Sequence, residues 1–265
     1  MFIFEDKAIL AYCIVMALII GAVFGSFLSC MASRISRKED FVKERSHCMF
    51  CNHVLGAADL VPVFSYIFSK GQCRYCKKKL PWTYPASEIF FALVCLGILM
   101  KDGLTVHCLR DFIIACCLYV LSLVDLEIME IPDPALIIAA AAWIVDWIIT
   151  RDGNIVHHIL SGFGYGLAVY LISWLMDVIL KKESMGGGDI KLFALMGLCL
   201  GPVCSLFAVI LSCFVGLILV YAGRIRKPED EGYFPFGPSI AIAFFAMLLW
   251  GEPLVRWYLS LFILE

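Results

Sequence analysis

Long apolar runs constrain this chain more than any other feature of its sequence. They cover approximately residues 8–31, 86–100, 110–124, 134–150, 155–180, 189–200, 202–223 and 236–250. A helix that crosses a bilayer needs about 20 mostly apolar residues, and most of these runs approach that length. Composition agrees: 62% of residues are hydrophobic and 17% charged, with a mean hydropathy of +0.90. A soluble domain is about 45–50% apolar and about 25% charged, so a water-soluble globule is excluded. So is a disordered chain, which needs low hydrophobicity. The net charge of −2 and pI of about 6.2 give no sign of a nucleic-acid partner. The expected fold is an all-α polytopic membrane protein of about eight transmembrane helices.

The first run is read as a retained helix. A signal peptide would want a basic start and a shorter apolar core, whereas this run follows Glu5-Asp6-Lys7. The run at 189–200 is short, and Gly201-Pro202 marks a tight turn after it. With eight crossings the loops alternate sides. Of the 21 Lys and Arg, all but Lys7, Lys101, Arg110, Arg151 and Arg256 fall on one side. Lys43, Arg45, Arg224, Arg226 and Lys227 are among that majority. The positive-inside rule then puts the 32–85 loop and the loops near 125–133, 181–191 and 224–235 in the cytoplasm. Three segments follow: a first transmembrane helix at 1–31, a cytoplasmic loop domain at 32–85 and a transmembrane core at 86–265. No internal repeat is evident.

The loop at 32–85 is too small to build a core unaided and needs a staple. Cys48-Met49-Phe50-Cys51 and Cys73-Arg74-Tyr75-Cys76 provide one. Each CxxC lets a tight turn aim two thiolates at one ion, and two such turns complete a tetrahedral Cys₄ site. A reducing compartment disfavours disulfides there. Arg45, Arg74, Lys77 and Lys78 offset the thiolate charge. Structural zinc in a zinc-ribbon-like loop is the leading reading; a redox dithiol pair or an iron–sulfur cluster are the others. His47 and His53 read as loop residues. The remaining nine cysteines sit in apolar runs as small hydrophobes.

Carboxylates in or beside membrane spans are costly and mark function. Asp111, Asp146 and Asp177 lie near span ends, where they can pair or snorkel. Glu88 is expected in the first turn of its helix, favoured by the helix dipole. Asp125 ends the third run, and Asp189 opens the sixth after Gly186-Gly187-Gly188. Two carboxylates at one depth can share a proton and activate water against a peptide bond. The other readings are a proton relay in a transporter and a helix N-cap at Asp189.

Six segments in order resemble the type IV prepilin peptidases. GSFLSCMASRIS (25–36) is similar to the end of the family's first helix, with Ser29 where Asn is usual. DLVPVFSYIFSKGQCRYC (59–76) and KKKLPWTYPASEIFFAL (77–93) follow the family's pattern between and after its cysteines, including Tyr84, Pro85 and Glu88. DLEIMEIPD (125–133) and GGGDIKLFALMG (186–197) resemble the motifs carrying the two aspartates of these GxGD-type proteases. PFGPSIAIA (235–243) resembles a segment at the last helix.

The resemblance implies a bifunctional enzyme of the bacterial cytoplasmic (inner) membrane. It would be an aspartic endopeptidase that cleaves a short basic leader from prepilin or pseudopilin substrates of type IV pili and type II secretion. It would also N-methylate the new terminus with S-adenosylmethionine. Asp125 and Asp189 carry over as the catalytic pair and Cys48, Cys51, Cys73 and Cys76 as the metal tetrad. Gly186, Gly187, Gly188, Lys191, Pro235 and Gly237 carry over as site-supporting residues. Membrane lipid and the substrate are the expected partners. Two alternatives come from other classes: a proton-coupled transporter and a non-enzymatic zinc-bearing secretion-assembly protein.

Overall fold

The computed structural model describes residues 7–39, 46–182, 184–222 and 234–261. Lys43, Arg45, Arg224, Arg226 and Lys227, which enter the charge argument, lie outside them. The helices are α1 (Lys7–Ser36), α2 (Phe64–Phe68), α3 (Thr83–Asp102), α4 (Val106–Ile128), α5 (Asp133–Thr150), α6 (Ile155–Leu180), α7 (Gly187–Tyr221) and α8 (Gly237–Ser260). Among the described residues the only strand-like features are two isolated bridges. The chain is an all-helical polytopic membrane protein. Its eight expected runs become α1, α3, α4, α5, α6, the two arms of α7, and α8. Among the described residues six helices are long and apolar enough to cross a membrane, α7 counting once. The remaining one, α4, carries Arg110, Asp111, Asp125 and Glu127.

The chain forms two compact units, Met1–Cys108 and Leu109–Glu265. In the first, α1 and α3 pack antiparallel at glycines. A Cβ on Gly21 would stand 2.6 Å from Ala92 Cα, and one on Gly25 would stand 2.9 Å from Phe91 Cβ. Gly21 and Gly25 are four apart, so both lie on one face of α1. This is the small-residue spacing that lets membrane helices approach closely.

In the second unit α6 and α7 repeat the device. Gly162 and Gly166 of α6 meet Ala194, and a Cβ on Gly197 would lie 2.8 Å from Ser161 O. Gly201 takes φ 74°, ψ −178° inside α7, and Pro202 follows. Proline cannot continue a helix, so the chain reverses there. The reversal shows at both ends. Phe193, before the break, and Gly216, after it, both lie against Phe236 at the start of α8. At the other end Cys204 lies against Gly251. The α4 C-terminus, the α5 and α8 N-termini and both ends of the α7 hairpin therefore share one end of this unit. Asn154 caps α6 by accepting from Val156 N–H at 3.0 Å.

Toward the other end, Arg110 bonds Asp111 Oδ1 at 2.6 Å and Asp146 Oδ2 at 2.9 Å, tying α4 to α5. Both carboxylates are buried, as the pairing reading of these residues expected. Glu88 differs from expectation. Because α3 starts at Thr83, Glu88 lies in its second turn, beyond the strong reach of the dipole. Its Oε2 accepts the Val63 N–H at 2.7 Å instead.

Glycine at the α6–α7 crossing should be obligatory, and glycine at Gly164, with nothing within 4 Å of its would-be Cβ, should not. Overpacking a tight contact costs about 1–3 kcal/mol. Thermal unfolding in detergent is expected to drop sharply for Gly197→Leu and to stay near wild type for Gly164→Leu.

Candidate functional site

Two sites emerge, one in each unit. In the first, each CxxC sits in a tight knuckle, and the two knuckles have the same wiring. Cys48 N–H donates to His53 O at 3.0 Å, Asn52 N–H to Cys48 O at 2.9 Å and Leu55 N–H to Ser46 O at 2.8 Å. In the second knuckle Cys73 donates to Lys78 O at 2.9 Å, Lys77 to Cys73 O at 3.0 Å and Leu80 to Gly71 O at 2.8 Å. Asn52 and Lys77, each just after the second cysteine, both take positive φ, 54° and 60°. The bridges His47↔Val54 and Gln72↔Lys79 close them equivalently. This is a local structural repeat. The sequence hid it because the two knuckles share little beyond their cysteines.

The four Sγ atoms lie within 4.8 Å of one another, and Cys48 Sγ to Cys76 Sγ is 4.0 Å. Zinc–sulfur bonds of about 2.3 Å give a tetrahedron with edges of about 3.8 Å, so the set fits one zinc after slight contraction. The N–H groups of Cys76 and Tyr75 point at Cys73 Sγ and lower its thiol to about 7, which favours the thiolate a metal needs. His53 lies against Tyr75 with ring centroids 3.6 Å apart and the rings tilted by 34°, and His47 is a bridge residue; neither belongs to the four-sulfur cluster.

In the second unit, Asp125 sits in the last turn of α4 and is 4% exposed. Gly237 N–H donates to its Oδ2 at 2.9 Å. That N–H opens α8, where the first backbone donors have no helical partner. A Cβ on Gly237 would stand 2.7 Å from the same oxygen, so only glycine admits the carboxylate. Pro235, buried just before, fixes the approach of this segment.

Asp189 lies in the first turn of α7, and Asp125 is near enough to act on it electrostatically. Its Oδ1 is buried without a hydrogen-bond partner among the described residues. The Phe193–Phe236 ring contact, with centroids 6.2 Å apart, brings this turn to the start of α8. The glycines before Asp189 are not equivalent. A Cβ on Gly188 would meet Ile131 at 2.9 Å, one on Gly186 would meet Asp189 Oδ2 at 3.8 Å, and Gly187 faces open space. Lys191 pairs with Asp133 Oδ1 at 2.7 Å across α5 and α7. Sequence reasoning missed Ile131, the phenylalanine contact and Ser239, whose buried Oγ has no partner among the described residues. The short stretch PFGPS was the available signal for the last two.

Two cavities bear on S-adenosylmethionine, and neither fits it. One, of about 540 Å³, lies between α6 and Pro202 and is lined by His157, Leu160, Tyr165 and Ala168. It lacks a carboxylate for the cofactor's ammonium or ribose. The other, of about 260 Å³, is lined by Lys70, Arg74 and Lys77, which repel a sulfonium cation.

Comparison with known proteins bears on both sites. The family model described as Bacterial Peptidase A24 N-terminal domain matches residues 19–101, and that described as Type IV leader peptidase family matches residues 112–221. A prepilin leader peptidase/N-methyltransferase of Aeromonas hydrophila is 30% identical, covering 83% of this chain and 76% of its own. Proteins of the same name from Bacillus subtilis and Pseudomonas putida are 27% and 30% identical. They cover 92% and 91% of this chain and 96% and 92% of their own. No solved structure matches the chain. With matches running through both units, the chain belongs to the type IV leader peptidase family.

Proposed function

We propose that this chain is a membrane aspartic endopeptidase that removes the leader from prepilin-like proteins at the cytoplasmic face of the bacterial inner membrane. We further propose that it N-methylates the exposed terminus. The observation that carries the peptidase reading is the pair Asp125–Asp189 at one end of the second unit. One carboxylate is gripped by a backbone N–H, and the other has an oxygen free for a ligand. The relatives' names supply the substrate class and the second activity. An enzyme of this family leaves no need for the transporter or assembly-protein readings.

Chemistry follows from two acids sharing one proton. The ionised carboxyl takes a proton from a water molecule as its oxygen attacks the scissile carbonyl carbon. The protonated carboxyl hydrogen-bonds the carbonyl oxygen as negative charge develops there. The tetrahedral intermediate collapses with cleavage of the C–N bond, and a carboxyl proton passes to the leaving nitrogen. Gly237 N–H holds Asp125 in place through Oδ2. Both aspartates sit at helix ends, so the substrate presents an unwound stretch just outside its own apolar segment. A helical peptide bond would be shielded by its own hydrogen bonds.

Cys48, Cys51, Cys73 and Cys76 would hold zinc as a closed, structural site, stapling the two knuckles. Methyl transfer from S-adenosylmethionine would supply the N-methyl group. Neither the cavity beside Pro202 nor the basic cavity fits that cofactor.

Replacing either aspartate, Asp125→Asn or Asp189→Asn, is expected to abolish cleavage of a prepilin-like substrate while leaving the fold intact. Retained cleavage in either variant would exclude the dyad. Gly237→Ala should lower kcat by about 100-fold, the scale of a misplacement near 1 Å. Its zinc content should stay normal. For the metal, purified enzyme should carry about one zinc per chain, and Cys73→Ser should release it and open residues 46–80 to protease, because binding and folding are coupled. Metal analysis and limited proteolysis check this together.

A further inference from the structure

Helix α2 turns its large side chains outward. Phe64 and Ile67 are each 61% exposed and Phe68 is 75% exposed. Leu60 and Val61, just before it, are exposed as well. A contiguous apolar patch of this kind marks an interaction surface. Its height is set by one hydrogen bond. Val63 N–H is held by Glu88 Oε2, and Glu88 is buried in α3 beside Gly25 of α1. At 1.5 Å per residue, Glu88 lies about 8 Å inside the start of α3. Its neighbours Ile89, Phe90 and Leu93 point outward from this spanning helix. Val63 is thus level with the lipid-facing part of α3, and the residues after it emerge at the bilayer surface.

That position is held against strain. Val63 has φ 60°, ψ −50°, and Phe64 N–H donates to Pro62 O at 2.5 Å, a positive-φ γ-turn at a β-branched residue. Immediately beyond α2 lies the basic cavity of about 260 Å³, with Phe68, Lys70, Arg74 and Lys77 in its wall. Arg74 pairs with Asp59 Oδ1 at 3.2 Å. Lys70 and Lys77 have no carboxylate partner among the described residues. An apolar face with a cationic cavity at its edge suits the boundary between acyl chains and anionic headgroups. A basic leader peptide would be repelled there.

We propose that α2 is an interfacial anchor. Phe64, Ile67 and Phe68 sink into the bilayer surface, and the cavity of Lys70, Arg74 and Lys77 receives the phosphate of an anionic phospholipid. The anchor seats the cysteine loop against the membrane.

The test uses the full chain in nanodiscs of phosphatidylcholine, with or without phosphatidylglycerol. A benzoylphenylalanine photo-crosslinker replaces Phe68, with Val54 in the first knuckle as the control position. Lipid adducts are expected at position 68 well above position 54. Phosphatidylglycerol should be favoured by about fivefold per engaged lysine. Lys70→Glu with Lys77→Glu should remove that preference and leave labelling in phosphatidylcholine unchanged; Lys70→Gln with Lys77→Gln replaces it if charge reversal lowers zinc content. Labelling at position 68 no higher than at position 54 would overturn the anchor. Equal labelling by the two lipids would overturn the headgroup site. Loss of the preference in excess inorganic phosphate at constant ionic strength would make free phosphate the occupant and overturn the lipid assignment.

Discussion

Helices surrounded by hydrocarbon gain little by hiding apolar side chains from lipid, so they are held together by close packing and by buried polar contacts. The helix pairs of this protein depend on that constraint. Gly21 and Gly25 bring α1 onto α3; Gly162, Gly166 and Gly197 bring α6 onto α7. Near contact maximises dispersion along these seams, and the large side chains on the outer faces of α6 are left to the lipid. Soluble-protein logic, with apolar residues inside, describes the centre of the second unit, around Leu121, Met196 and Phe244.

On that scaffold the Asp125–Asp189 pair depends on a single reversal. Gly201 and Pro202 fold α7 into a hairpin, which brings Phe193 and Gly216 to the same aromatic ring at the start of α8. The α8 N-terminus can then offer Gly237 N–H to Asp125 while Asp189 opens the other side of the hairpin. The site therefore combines a helix C-terminus with two helix N-termini. Each contributes a carboxylate or a backbone donor that regular helical bonding leaves available.

The cysteine loop solves a different problem, that of a segment too short to bury a core. Two equivalent knuckles converge their sulfurs, and Asp59 ties the second to the neighbouring turn by accepting from Tyr75 Oη and Arg74 Nε, both at 3.2 Å. Glu88 links the loop to α3 through Val63. The loop is thus positioned from inside the membrane helix, which makes the height of α2 a property of the fold.

The apolar runs, the tight turn at Gly201, the cysteine tetrad and the placing of Asp125 and Asp189 at helix ends were legible in the sequence. Run length, residue spacing and the cost of charge in lipid are local or compositional, and so they survive without coordinates. The motifs carried more than their spacing did. A glycine-rich tripeptide before Asp189 reads as one feature, yet only Gly188 is pressed against a neighbour, Ile131. Lys191 sits two residues from Asp189 in sequence but faces Asp133. The Glu88–Val63 bond spans 25 residues and the Gly237–Asp125 bond 112, and nothing in either local pattern announces them. Sequence by itself determined which groups are costly to bury and hence which must have a purpose. Tertiary structure alone decided which backbone N–H or side chain meets each of them, because partners in a helical bundle are set by crossing geometry between residues far apart in the chain.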